Sequence, residues 1–257
     1  MVACVDVAAD DLDQVYVRRK EVKMDDLQQI EQEKSVLRWG GLAGILGGIL
    51  GILAMVVAIA GPVGMEDPAD LAGWVTRFPD IKAARVVENL TYLMGLLLEV
   101  PLFLALYRAL RRTSLAPALF GSVLGIVGLV AMAVSATPHV AHAPLSDLYH
   151  APGATPADQA TIALMWQATW GVFDAMLYVG FFVVPIGLLL LGVGMLGAPA
   201  FGKGFGGVGV ALGAVGLVAA VLQMVDPSSM IGALSYLAYL IFCLVLGWKV
   251  YSVSRAP

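Results

Sequence analysis

Six apolar runs, each long enough to cross a bilayer as a helix, constrain this chain more than any other feature. They lie near residues 39–62, 86–109, 116–136, 165–195, 205–225 and 230–250. A hydrocarbon core of about 30 Å needs roughly 20 apolar residues in a helix. Lipid offers no partner to a backbone N–H or C=O, so only helices and closed barrels span it. These runs are continuous rather than alternating, which predicts helices. The expected fold is an all-α, polytopic bundle of six transmembrane spans. Composition agrees: 60% of the 257 residues are hydrophobic and 13% are charged, about half the charged share of a soluble domain. The net charge of -4 is spread out, with no basic block suited to nucleic acid. The expected surroundings are the lipid bilayer.

Orientation follows the placement of lysine and arginine. Lys34 and Arg38 precede span one, Arg108, Arg111 and Arg112 follow span two, Lys203 precedes span five, and Lys249 and Arg255 close the chain. On the other side, Arg77, Lys82 and Arg85 sit among Glu66, Asp67, Asp70 and Asp80. Both termini are therefore expected in the cytoplasm, with the protein in the plasma (inner) membrane. Trp39, Tyr107, Trp248 and Tyr251 read as aromatic anchors at inner ends, and Trp166 and Trp170 as anchors at an outer end.

Three regions are expected: a cytoplasmic tail over 1–35 with a short amphipathic helix, the membrane domain over 36–252, and a short tail over 253–257. No short apolar core followed by a small-residue cleavage site opens the chain, so no removable signal peptide is expected. "MDDLQQIEQEKSVLRWGG" begins at Met24 with an acidic turn suited to a helix start. The preceding "RRKEVK" is encodable by a purine-rich ribosome-binding site, so Met24 is a candidate native start. An ordinary N-terminal tail is the alternative. Cys4 and Cys243 lie far apart in character, one in the tail and one in an apolar run, and are not expected to pair.

Small residues recur at four-residue spacing: Gly40, Gly44 and Gly48 with Gly47 and Gly51 in span one, Gly121 and Gly125 in span three, Gly209 and Gly213 in span five. That spacing lets helix backbones approach closely in lipid, within one chain or between copies in a homo-oligomer. "GKGFGGVGVALG" lacks the lysine-serine or lysine-threonine ending and the preceding strand of a phosphate loop. In the first outer loop, Asp67 and Pro68 suit a helix start, and Leu71, Trp74 and Phe78 share one face. This predicts a short helix lying on the outer bilayer surface.

Polar residues inside the spans are the candidates for function. Glu88, Tyr92, Gly95 and Glu99 fall within about 60° of one another on a helix of 100° per residue, and Glu99 is at mid-membrane depth. A charge there costs on the order of 2.5–3.5 kcal/mol on insertion scales, so Glu99 should face the interior, protonated or bound to a cation. Pro101 follows and frees a backbone carbonyl nearby. Gln167, Gly171, Asp174 and Tyr178 form a second stripe in span four. If the stripes face each other, Glu88, Tyr92, Glu99, Gln167, Asp174 and Tyr178 line a polar cleft for a small ligand or cation. The plainer alternative is a neutral glutamate acting as interhelical glue.

All three histidines fall in "TPHVAHAPLSDLYHAPGATPADQ". His139, His142 and His150, with Asp147, are ligand types suited to zinc or copper, but their spacing matches no compact zinc pattern. A flexible, proline-rich loop is the alternative. No serine or cysteine stands in a nucleophile's context, so no catalytic residue is assigned.

"FFVVPIGLLLLGVGMLGAPAFGKGFGGVGVALGAVGLVAA" and "LYRALRRTSLAPALFGSVLGIVGLVA" resemble the bacterial membrane proteins grouped as domain of unknown function 4386, over roughly residues 36–252. The resemblance implies a helical integral membrane protein of six to seven spans in a bacterial plasma membrane. It carries over no catalytic residues and does not extend to the histidine segment. The expectation for function is therefore a small-ligand-binding, cation-binding or accessory membrane protein. A proton- or cation-coupled transporter or channel is the alternative, and a metal-dependent enzyme using the histidines is the third.

Overall fold

A computed structural model describes residues 3–60, 71–226 and 229–255, with side-chain detail over 28–59, 73–226 and 229–255. The described residues form seven helices and no strand: α1 (Ala3–Ala60), α2 (Leu71–Leu110), α3 (Leu115–Ser135), α4 (Pro138–Tyr149), α5 (Pro156–Leu196), α6 (Gly202–Val225) and α7 (Ile231–Ser254). Six stretches are long and apolar enough to cross a membrane, one each in α1, α2, α5, α6 and α7 and one over Leu115–Tyr149 that takes in α3 and α4. Six spans is the number expected from the sequence. The tail is not a separate helix: α1 runs without a break from Ala3 into the first span.

Two helices act as hubs. α1 packs along α2 and α7, and α5 packs along α3 and α6; contacts of α2 with α3 and of α6 with α7 close the ring. The glycines account for the close approach. A Cβ on Gly40 would stand 2.6 Å from the Pro101 carbonyl oxygen, and one on Gly41 2.6 Å from the Tyr251 nitrogen. On the other hub, a Cβ on Gly187 would stand 2.5 Å from the Gly125 nitrogen, and one on Gly192 2.5 Å from the Val210 nitrogen. Glycine spacing thus serves contacts within this chain.

α2 and α5 are 40 and 41 residues long. At 1.5 Å per residue each measures about 60 Å, twice the hydrocarbon thickness. Their excess lies opposite the chain termini, where α4 packs against both and makes a cap. Trp74, Val75, Phe78, Ile81, Leu145, Ile162 and Trp166 form the cap's own core. The short surface helix expected around Leu71–Phe78 is therefore the first turns of α2, and its Trp74 and Phe78 face protein rather than lipid. Leu71 is in α2, but its side chain, like Asp67 and Pro68, falls outside the described residues. The histidine segment is likewise helical. Pro138 occupies the first turn, where a missing N–H costs nothing, and His142, Leu145 and Ser146 are buried. A Thr155–Asp158 capping box then starts α5.

At the termini end, three guanidinium groups converge on one carboxylate. Arg112 Nη2 is 2.7 Å and Arg111 Nη2 3.5 Å from Glu33 Oε1, and Arg108 also bonds that oxygen. This clasp ties α1 to the end of α2. Replacing Glu33 with alanine leaves three like charges together. The expected cost is about 1–2 kcal/mol for partly exposed ion pairs. It should appear as a lower melting temperature in detergent, with the gap to wild type narrowing at high ionic strength.

Candidate functional site

Where cap meets bundle, the helices part around a cavity of about 300 Å³. Its aromatic side comes from α5. Trp170, Phe173, Leu177 and Phe181 recur at spacings of three and four, so they share one helical face. His139 of α4 packs edge-on against Trp170 (centroids 5.0 Å) and Phe173 (4.6 Å). Behind it, His142 stacks flat on Trp166 at 4.0 Å and 13°. The Thr169 hydroxyl donates to the Trp166 carbonyl (2.7 Å), so it must accept from His142 Nε2 (3.0 Å). That assigns the proton of His142 to Nε2 and leaves Nδ1 as an acceptor.

The polar side comes from α2. Arg85 Nη1 bonds Glu88 Oε2 at 3.0 Å, and the Arg85 guanidinium carbon lies 5.6 Å from the Trp170 ring centre. Asn89 Nδ2 donates to the Ala136 carbonyl at 3.3 Å, bracing α2 against the end of α3. Three side chains that line the cavity hold a buried polar atom without a hydrogen-bond partner: His139 Nδ1, Trp170 Nε1 and Gln223 Oε1. An indole N–H only donates and an amide oxygen only accepts. The cavity therefore offers unmet hydrogen-bonding capacity of both kinds, an arrangement that is costly without a partner.

The floor leads inward. Tyr92 and Tyr236 line the cavity, and Tyr236 stacks on Tyr239 (centroids 6.0 Å, 21°). The Tyr239 hydroxyl donates to Glu99 Oε2 at 2.5 Å. Glu99 is fully buried, and its Oε1 has no partner. Toward the termini, the core continues as Leu102, Phe103, Leu106 and Leu110, all buried and apolar. The polar route thus runs from the capped end to mid-bundle and stops there.

Of the α2 residues expected to line a cleft, Glu88 and Tyr92 line this cavity, whereas Glu99 is fully buried and is not part of its lining. The α5 stripe does not face it. Gln167, Gly171 and Asp174 are exposed on the outside of α5, and Tyr178 is half-buried away from the cavity lining. The bulky face of Trp166, Trp170 and Phe173 takes the interior instead. Trp166 is 1% exposed and Trp170 lies against His139, so neither stands as an interfacial anchor.

The metal donors also separate. His139 and His142 are neighbours at 5.2 Å between ring centres, but His150 Nδ1 bonds the Ser146 carbonyl at 2.8 Å and Asp147 pairs with Lys82 at 3.3 Å. Among the described residues, no group of three or more His, Cys, Asp or Glu side chains is placed to hold a metal ion.

Sequence reading passed over Arg85, Asn89, Trp170, Gln223, Tyr236 and Tyr239 as site residues. The available signal was two tyrosines at i and i+3 in the last span and a lone glutamine near the end of the fifth. No family model, curated protein or solved structure matches the chain.

Proposed function

We propose that this protein is a small-molecule-binding membrane protein whose ligand sits in the cavity between cap and bundle. The observation that carries the reading is the set of unpartnered polar atoms on His139, Trp170 and Gln223 around an aromatic-walled space of about 300 Å³. Sites for small ligands are typically apolar concavities with a few well-placed polar groups. The complementary ligand is a compact molecule with an apolar or aromatic body and both a donor and an acceptor. The Arg85–Glu88 pair at the wall favours a polar or zwitterionic head. The lysine and arginine distribution supports a capped end facing outward from a bacterial plasma membrane. The resemblance to domain of unknown function 4386 supports the same setting.

Tryptophan fluorescence tests this in the detergent-purified protein, using indole-3-carboxylate, benzamide and histidine as probes. At least one should give a saturable change in emission that disappears in Trp170→Phe. Ala58→Phe fills the cavity from α1 and should weaken that probe at least tenfold while the melting temperature holds. Responses that are equal in wild type and Ala58→Phe, or absent for every probe, would remove the reading.

A proton- or cation-coupled transporter is the second reading. It is favoured by Glu99 Oε1, a buried carboxyl oxygen without a partner at the end of the tyrosine line. Against it stands the apolar plug from Leu102 to Leu110, which a transport cycle must open.

A further inference from the structure

At the termini end, α6 and α7 enclose an open groove of about 530 Å³ whose walls are almost wholly apolar. Val208 and Leu212 of α6 face Ala238, Ile241 and Val245 of α7 across it. Phe205 and Phe242, 6.5 Å apart, pack against the core and form its floor. The groove extends from Gly204 to Leu212, about 12 Å along the helix axis. Gly204 differs from the glycines that seat helices on one another. A Cβ there meets nothing within 4 Å, so the space beside it is open.

Charge marks one end of the groove. Lys203 precedes Gly204 and is exposed, and Lys249, one turn past Val245, places its Nζ 5.9 Å from the Phe205 ring centre. No aspartate or glutamate occurs over residues 175–225 or 227–257. Among the described residues, neither lysine has a carboxylate within ion-pair distance. The groove therefore pairs an elongated apolar channel with two cations, near the start of α6 and the end of α7.

We propose that this groove binds one anionic phospholipid, its acyl chain between α6 and α7 and its phosphate held by Lys203 and Lys249. Apolar burial supplies affinity for any phospholipid, and the two lysines supply preference for a net negative headgroup. Basic residues at a membrane surface attract anionic lipid by about fivefold each, so two predict a preference on the order of tenfold or more. The inference is independent of the cavity beneath the cap.

Native mass spectrometry of the detergent-purified chain, titrated with phosphatidylglycerol or phosphatidylcholine of identical chains, tests both halves. Wild type should bind one phosphatidylglycerol on the order of tenfold more tightly than phosphatidylcholine. Lys203→Gln with Lys249→Gln should abolish that preference while retaining phosphatidylcholine binding. Gly204→Leu, at a position with open space and on a helix that leucine suits, should weaken both lipids alike. Equal affinities in wild type, or a preference that survives the double lysine change, would overturn the headgroup assignment. Unchanged binding in Gly204→Leu would overturn the tail assignment. A wild-type dimer that Gly204→Leu converts to monomer would give the groove to a second copy of the chain instead. Whichever of indole-3-carboxylate, benzamide and histidine binds at the capped end should bind all three proteins alike.

Discussion

Gly187→Ala is expected to be among the most damaging single changes in the membrane domain, although it adds one methyl group. The added Cβ would lie 2.5 Å from the Gly125 nitrogen, 2.8 Å from its Cα and 2.7 Å from the Gly121 carbonyl oxygen. These are backbone atoms and cannot rotate aside. Relief requires α3 and α5 to separate along their seam, which also loosens Gly128 on Val184 and Gly180 on Met132. Overpacking costs typically 1–3 kcal/mol when side chains can adjust, so about 3 kcal/mol is expected where they cannot. The measurement is the melting temperature in detergent, read by fluorescence-detected size exclusion. Gly171→Ala is the control: its site is exposed and a Cβ meets nothing within 4 Å. Alanine there should leave stability unchanged or raise it by up to about 1 kcal/mol through helix propensity. Equal melting temperatures for wild type and Gly187→Ala would mean that the α3–α5 seam is not a backbone contact.

The membrane spans were legible because their cause is local. An apolar run of sufficient length has few alternatives in lipid, and small residues spaced by four have few uses other than close packing. The α2 stripe was legible for a similar reason: one carboxyl at mid-depth fixes which face turns inward. The α5 stripe misled because periodicity says which residues share a face, not which neighbour that face meets. Gln167, Gly171 and Asp174 lie on the part of α5 that rises into the cap. There the aromatic face of Trp166, Trp170 and Phe173 packs inside, and Gln167, Gly171 and Asp174 share the outward side with Leu164, Met165 and Val172. Placing the membrane boundary several turns deeper along α5 would have pointed to Trp170 and Phe173. The cap was hidden by its prolines. Pro138 and Pro144 make the histidine segment resemble a loop, yet Pro138 starts a helix and Pro144 is carried inside it, supported by the cap's own core. Tyr236, Tyr239 and Gln223 were overlooked because none falls in a stripe with an aspartate or glutamate of its own span. Only the fold places them beside α2.

Tyr239→Phe is expected to destabilise the protein by about 1–3 kcal/mol, the cost of leaving a buried polar group unsatisfied. The Tyr239 hydroxyl bonds Glu99 Oε2, and Glu99 Oε1 has no partner, so removing the hydroxyl strands the whole carboxyl in a dry core. Glu99→Gln behaves differently. Its amide oxygen still accepts from Tyr239, the side chain keeps its shape against Gly47, and stability should fall by less than about 1 kcal/mol. The double change Tyr239→Phe with Glu99→Leu removes both polar groups and should recover most of the loss of Tyr239→Phe alone. Replacing both partners by apolar groups is often nearly neutral. Melting curves of these four proteins and of Glu99→Leu in one detergent close this cycle. Run with and without sodium or potassium, they also separate the two functional readings. A carboxyl that serves only to hold α2 to α7 gives the same small cation response in wild type and Glu99→Gln. A cation that stabilises wild type and not the glutamine variant would instead make Glu99 the deepest ligand of the site. Transport would then become the leading reading, because a cation reaching mid-bundle past Tyr92 and Tyr236 has already crossed half of the route.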